Sequence, residues 1–156
     1  MNDSSARKSR LRVLTTLAHE FGLKVNADVP IAEMQQHAWY MVNTRDSFDQ
    51  QVEDIHERVD WLFEAGFDGI STESGLSEFT FPDCQLMLDL LNTFSTYVNE
   101  TWDRSASVKV HCSTGQECQD FPDPRTGEPI NFNFLPTYAS SDLGVLPHTV
   151  QAYSLG

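Results

Sequence analysis

The strongest constraint in this sequence is how its apolar runs begin and end. Twice a helical repeat runs into a glycine and then straight into an apolar run, at Phe21-Gly22-Leu23 and at Ala65-Gly66-Phe67. Glycine ends a helix there because it adopts left-handed backbone without a Cβ clash. The segments after the runs are the opposite: residues 30–46 and 114–136 are long and show little regular pattern. Loops beyond about 12–15 residues in a compact domain are usually functional or disordered. Tight joints before strands and long excursions after them describe an α/β chain elaborated on one side of a sheet.

The periodicity supplies the elements. Leu11, Leu14, Leu17, Ala18 and Phe21 recur at helical spacing, predicting a helix near residues 6–21. Ser47 followed by Gln50 forms a capping box for a second helix over 47–65, with Phe48, Val52, Ile55, Val59, Leu62 and Phe63 on one face. Asp83 caps a third over 84–101, whose stripe is Met87, Leu88, Leu91, Phe94, Tyr97 and Val98. Strands are expected near 23–28, 67–72, 107–112 and 145–152, the last weakened by Pro147, with a short helix near Thr137–Ser141. Helices between successive strands imply parallel pairing with right-handed crossovers, the helices packed on the strands.

In this order of elements, residues 10–155 resemble part of a (βα)8, or TIM, barrel. The resemblance lies in element order and strand-end chemistry, since no short motif marks one family. A complete barrel takes about 250 residues, and four strands are read here. The expectation is a single α/β domain over residues 1–156, a partial barrel belonging to a longer protein. The alternative is a small open doubly wound sheet. No G-x-G-x-x-G or G-x-x-x-x-G-K-[ST] follows any strand, which disfavours a nucleotide-binding version.

Charge narrows the partners. Ten bases against 23 acids give a net charge of −13, which disfavours nucleic acid. The distribution is uneven: residues 1–24 carry five bases and two acids, a net of +3, and the remainder a net of −16. A solvated helix face is the preferred reading of that basic segment over a nucleic-acid arm. No apolar run approaches the roughly 20 residues of a membrane span, and no secretory leader is visible at Met1–Arg10. Cys84, Cys112 and Cys118 cannot all pair within one chain, and Cys112 with Cys118 would close a small loop in an oxidising compartment. The sequons at Asn2 and Asn99 permit glycosylation in a secreted protein, and the compartment stays open.

Ligands of a parallel sheet bind beyond the carboxyl ends of its strands. Those ends read Asn26 and Asp28, Thr72 and Glu73, His111 and Ser113, and His148 and Gln151. Glu73 stands out at the junction of a buried strand and a Ser/Gly turn, where partial desolvation would disfavour its charged form and suit it to proton transfer. With Asp28 as partner, the pair matches the two carboxylates of glycoside hydrolysis. His111, Gln151, Asn26 and Trp39 are the expected substrate-binding residues. Trp39, Tyr40, Phe79, Phe81, Phe132, Phe134 and Tyr138 lie in the long loops, where aromatic faces stack on sugars or anchor the loop itself.

The reading is therefore a hydrolase-like barrel acting on a glycosidic or related polar bond of a small-molecule or carbohydrate substrate, without a cofactor. A metal-dependent hydrolase or isomerase is the alternative, with a divalent ion on Asp28, Glu73, His111 and His148. A non-catalytic remnant is the third reading: half a barrel lacks the other strand ends, so a single chain of this length is expected to show no turnover. Its two sheet edges would then invite self-association.

Overall fold

The computed structural model describes residues 4–32, 39–74, 83–111 and 116–148. Helix α1 (Ser5–Glu20) starts at Ser4, whose hydroxyl accepts from the Arg7 N–H. It ends at Gly22, where the Leu23 N–H reaches the Ala18 carbonyl and the Gly22 N–H the His19 carbonyl, the bond pair that closes a glycine-terminated helix. Strand β1 (Asn26–Asp28) follows. Helix α2 (Phe48–Glu64) is capped by Ser47, which accepts from the Gln50 N–H. Only half of the expected capping box forms, because the Gln50 side chain donates forward to Asp54 instead.

Strand β2 (Gly69–Glu73) leads to helix α3 (Cys84–Trp102), capped by Asp83 through a 2.7 Å bond from the Leu86 N–H. After β3 (Ser105–His111) the chain makes a hairpin of β4 (Glu117–Pro122) and β5 (Pro129–Asn131), then a 3-10 turn over Phe132–Tyr138. Strand β6 (Leu143–His148) completes the main sheet. The long segment after β3 is thus more regular than its sequence shows. Its strands are short and mostly exposed, so neither carries a readable alternation, and the helical turn begins earlier than the expected 137–141, at the Asn131 cap.

The main sheet has the order β1-β2-β3-β6, with every neighbouring pair parallel. The order advances in one direction, without the reversal that defines a doubly wound sheet. Along each strand alternate positions face opposite sides. Ala27, Ile70, Ala106 and Leu143 form one in-register row, and Thr72 and Val108 another, all buried. On this side α2 and α3 lie together: Tyr97 and Trp102 of α3 both donate to Asp60 of α2 at 2.9 Å, and Phe63 packs on Trp102. Phe94, Leu91, Ile55 and Val59 are fully buried beneath them, and the hairpin adds Cys118, Ile130 and Phe132 to the same core.

Helix α1 departs from expectation. Of its residues only Thr15 is buried, while Leu14, Leu17 and Phe21 are 61%, 50% and 76% exposed. The helix is held at the end of α2 by polar groups. Lys8 pairs with Glu64, Arg12 donates to the Glu64 carbonyl, and the Thr15 hydroxyl donates to the Ala65 carbonyl at 2.9 Å. Its apolar stripe is therefore left facing outward.

Gly66 makes that joint possible. Its φ is +96°, and a Cβ there would stand 2.5 Å from the Thr15 hydroxyl oxygen. Gly66→Ala is expected to cost about 1–3 kcal/mol through strain and lost α1 docking, read as a lower urea midpoint with unchanged slope.

Beside this joint, Asp68 accepts from the Val25 N–H at 2.7 Å, and His19 Nε2 lies 2.8 Å from its carboxylate. The backbone bond first, and then His19, hold the Asp68 carboxyl below its ordinary 3.8. A depressed carboxyl stabilises the fold above the unfolded value, and that contribution is lost as pH falls through the folded value. Asp68→Asn should therefore lower the urea midpoint more near neutrality than at acid pH. An equal loss at both would remove Asp68 from the acid response.

Candidate functional site

The face of the sheet opposite α2 and α3 carries polar side chains in rows. From the amino to the carboxyl end the rows are Asn26, Gly69 and Ser105, then Asp28, Ser71, Ser107 and Gly144, then Glu73, Lys109 and the apolar Leu146. The first row is closed by contact: a Cβ on Gly69 would come within 2.5 Å of the Ser105 hydroxyl and 2.9 Å of the Asn26 side chain. In the second row the Ser71 and Ser107 hydroxyls share a 2.8 Å hydrogen bond. Such bonding satisfies hydroxyls that would otherwise be costly to desolvate.

The chemistry gathers one row further on. The Lys109 ammonium donates to Asp28 at 2.5 Å and lies 2.9 Å from a Glu73 oxygen, so one cation joins carboxylates from the two neighbouring strands. The Lys109 and Glu73 side chains are largely covered, at 24% and 22% exposure, while Asp28 is 55% exposed. Burial pushes the Lys109 ammonium toward losing its proton, but the bonds to Asp28 and Glu73 outweigh it and hold its pKa above the ordinary 10.5. Lys109 is therefore a cation at neutral pH.

The structure thus brings Asp28 and Glu73 together, as the strand-end reading requires, and gives them a third member. The environment of Glu73 differs from the expected one: a cation stands beside it, where the sequence reading relied on desolvation alone. Lys109 was missed, although a signal was present. Ser107-Val108-Lys109-Val110 alternates polar and apolar residues, which places Ser107 and Lys109 on the polar face as plainly as it buries Val108 and Val110.

Of the other expected site residues, Asn26 and Trp39 lie apart from this cluster. Asn26 opens β1 at its amino end, two residues before the cluster. Trp39 packs in the helix layer, its ring 5.7 Å from that of Trp61, with the Arg7 and Arg58 guanidiniums 5.8 and 5.5 Å from its centre. His111 and His148 are register partners at the last paired position of β3 and β6; their side chains, and all of Gln151, lie outside the described residues. Among the loop aromatics, Phe132 is buried in the core, and Tyr138 stacks edge-on against Phe121 while Arg125 lies over its ring. Phe79 and Phe81 fall outside the described residues.

Among the described residues no group of three or more His, Cys, Asp or Glu side chains is placed to hold a metal ion, and no helix is long and apolar enough to cross a membrane. The cysteine pairing also differs from the one considered. Cys84, at the start of α3, is bonded to Cys118 of β4. Both are fully buried, because the hairpin folds back across the amino end of α3. There Asp120 also accepts from the Gln85 N–H at 3.0 Å. Cys112 lies outside the described residues. No family model matches the chain, and comparison with curated proteins finds no significant similarity, so the functional reading rests on this geometry.

Proposed function

We propose that the polar sheet face is the acid–base site of a barrel-type hydrolase, with Glu73 and Asp28 as its carboxylates and Lys109 as its charged centre. The observation that carries the reading is the Lys109 ammonium held between two carboxylates at the carboxyl ends of adjacent parallel strands. The sequential strand order supports the barrel: all crossovers of one hand place the helices on one face, leaving the other to line an interior.

Of the bonds the sequence leaves open, the geometry favours one class. Cleaving a glycosidic bond passes through a cationic sugar, which an adjacent ammonium opposes. Cleaving an ester or amide develops negative charge on oxygen, which an ammonium stabilises. Lys109 would meet that oxygen while Glu73 takes a proton from the attacking water and returns it to the alcohol or amine as the scissile bond breaks, and Asp28 keeps Lys109 oriented. A divalent ion between Asp28 and Glu73 would have to displace Lys109, which disfavours the metal alternative. The described residues supply four parallel strands where a closed barrel has eight, so turnover is assigned to an assembly that closes it.

The test is a screen of ester, amide and glycoside substrates with and without a chelator, the mass of the protein measured in the same sample. Hydrolysis of acyl substrates that survives the chelator is expected. Activity abolished by the chelator, or confined to glycosides, would overturn the reading.

A further inference from the structure

The two ends of the sheet are complementary. At one end α1, which precedes the edge strand β1, turns an apolar stripe outward: Val13, Leu14, Leu17 and Phe21 are all at least half exposed. An open depression of about 470 Å³ runs along the helix at Ser9, Arg12, Val13, Thr16, Leu17 and Glu20. At the other end β6 is the edge strand. Its Val145 continues the row of Thr72 and Val108, both completely buried beneath the helices, yet Val145 is 42% exposed. Among the described residues, one edge thus has a helix without a strand to cover, and the other a strand without its covering helix.

In a right-handed parallel sheet, the helix before a strand covers the groove between that strand and its predecessor. α1 is therefore positioned to cover a parallel strand lying beside β1, on the side away from β2. We propose that this strand is β6 of a second copy, and that two chains close into one eight-stranded barrel. Each junction pairs β6 of one copy with β1 of the other, and α1 of the second copy covers Val145 of the first. Two such junctions close on a two-fold axis, leaving neither edge open. Four strands from each copy make the eight of a closed (βα)8 barrel.

Charge favours the same occupant. Residues 1–24 carry a net of +3 and the rest of the chain −16, so α1 brings opposite charge to the body of a partner. Arg10 and Lys24 are exposed on that segment. Closure places the Asp28–Lys109–Glu73 cluster inside the barrel and supplies the missing half of its mouth. The inference rests on the barrel-type reading of the sheet, and its test reads mass rather than rate, so each can fail separately.

Sedimentation of the 156-residue chain should give twice the chain mass. Leu17→Asp on α1 and Val145→Lys on β6 should each weaken the dimer by roughly 30-fold or more, the size of a hot-spot loss. Both side chains are at least 42% exposed, so the fold should be retained, as circular dichroism would show; Val13→Asp repeats the α1 arm independently. Mixing the two variants should restore a dimer, because one junction is then unaltered and the other pairs Asp with Lys. A monomeric wild type would overturn the proposal. So would a dimer broken by Leu17→Asp but indifferent to Val145→Lys, which would mark a contact between two α1 helices. Failure of the mixed variants to associate would overturn it as well.

Discussion

Replacing both Cys84 and Cys118 by alanine is expected to lower stability by about 3–4 kcal/mol. The bond spans 34 residues, and closing a loop of that size removes conformational freedom from the unfolded chain by about this amount. It also ties the hairpin to the amino end of α3, alongside the Gln85 N–H bond to Asp120. The hairpin of β4 and β5 is short, and it gives the core Cys118, Ile130 and the Phe132 that follows, with Phe121 packed against them. Alanine is preferred to serine because both positions are fully buried, where a hydroxyl would add its own desolvation cost. Urea denaturation should show the same loss for wild type in a reducing buffer, while the double variant ignores the reductant. A wild-type midpoint unmoved by reduction would mean that the bond is absent or contributes nothing.

On the proposed reading, the largest effect on rate comes from Glu73→Gln, expected to slow ester or amide hydrolysis by about 10²–10⁴-fold, as losing a general base does. Lys109→Met should cost a comparable factor in kcat, because it removes the charge placed to meet the developing oxyanion. It also removes the cation that both Asp28 and Glu73 contact, so the pH–rate profile should change shape. Asp28→Asn should cost less, since Asp28 is the more exposed carboxylate and orients Lys109. An unchanged rate in Glu73→Gln would remove it from catalysis. A Lys109→Met loss found wholly in KM would recast Lys109 as a binding group.

Much of this architecture was legible in residue patterns, and the exceptions share a cause. Helices α2 and α3 read clearly because their apolar stripes meet the core they imply, with Ile55, Val59, Met87 and Phe94 all buried. The stripe of α1 is equally regular but faces outward: periodicity shows that a helix has an apolar side without naming what covers it. The β4–β5 hairpin was invisible because a short, exposed ribbon has no burial alternation to display. The partner of Cys118 follows from where the hairpin folds, which local sequence does not encode. At the site, strand ends pointed to Asp28 and Glu73, but their joining through Lys109 is a matter of register across three strands. Asp28 pairs with Ser71, Ser71 with Ser107, and Glu73 with Lys109, and a shift of one residue would turn Lys109 to the opposite face.

Lys109 is charged at neutral pH and held by Asp28 and Glu73, and nitrogen NMR of its ammonium tests this without requiring turnover. The Lys109 Nζ signal should titrate above the ordinary 10.5. A raised lysine stabilises the fold below the unfolded value, and that contribution is lost as pH rises through the folded one. Asp28→Asn and Glu73→Gln should each lower the midpoint, and together they should bring it to or below 10.5, because burial alone favours the neutral amine. A midpoint that neither substitution moves, or an amine already neutral at pH 7, would contradict the account.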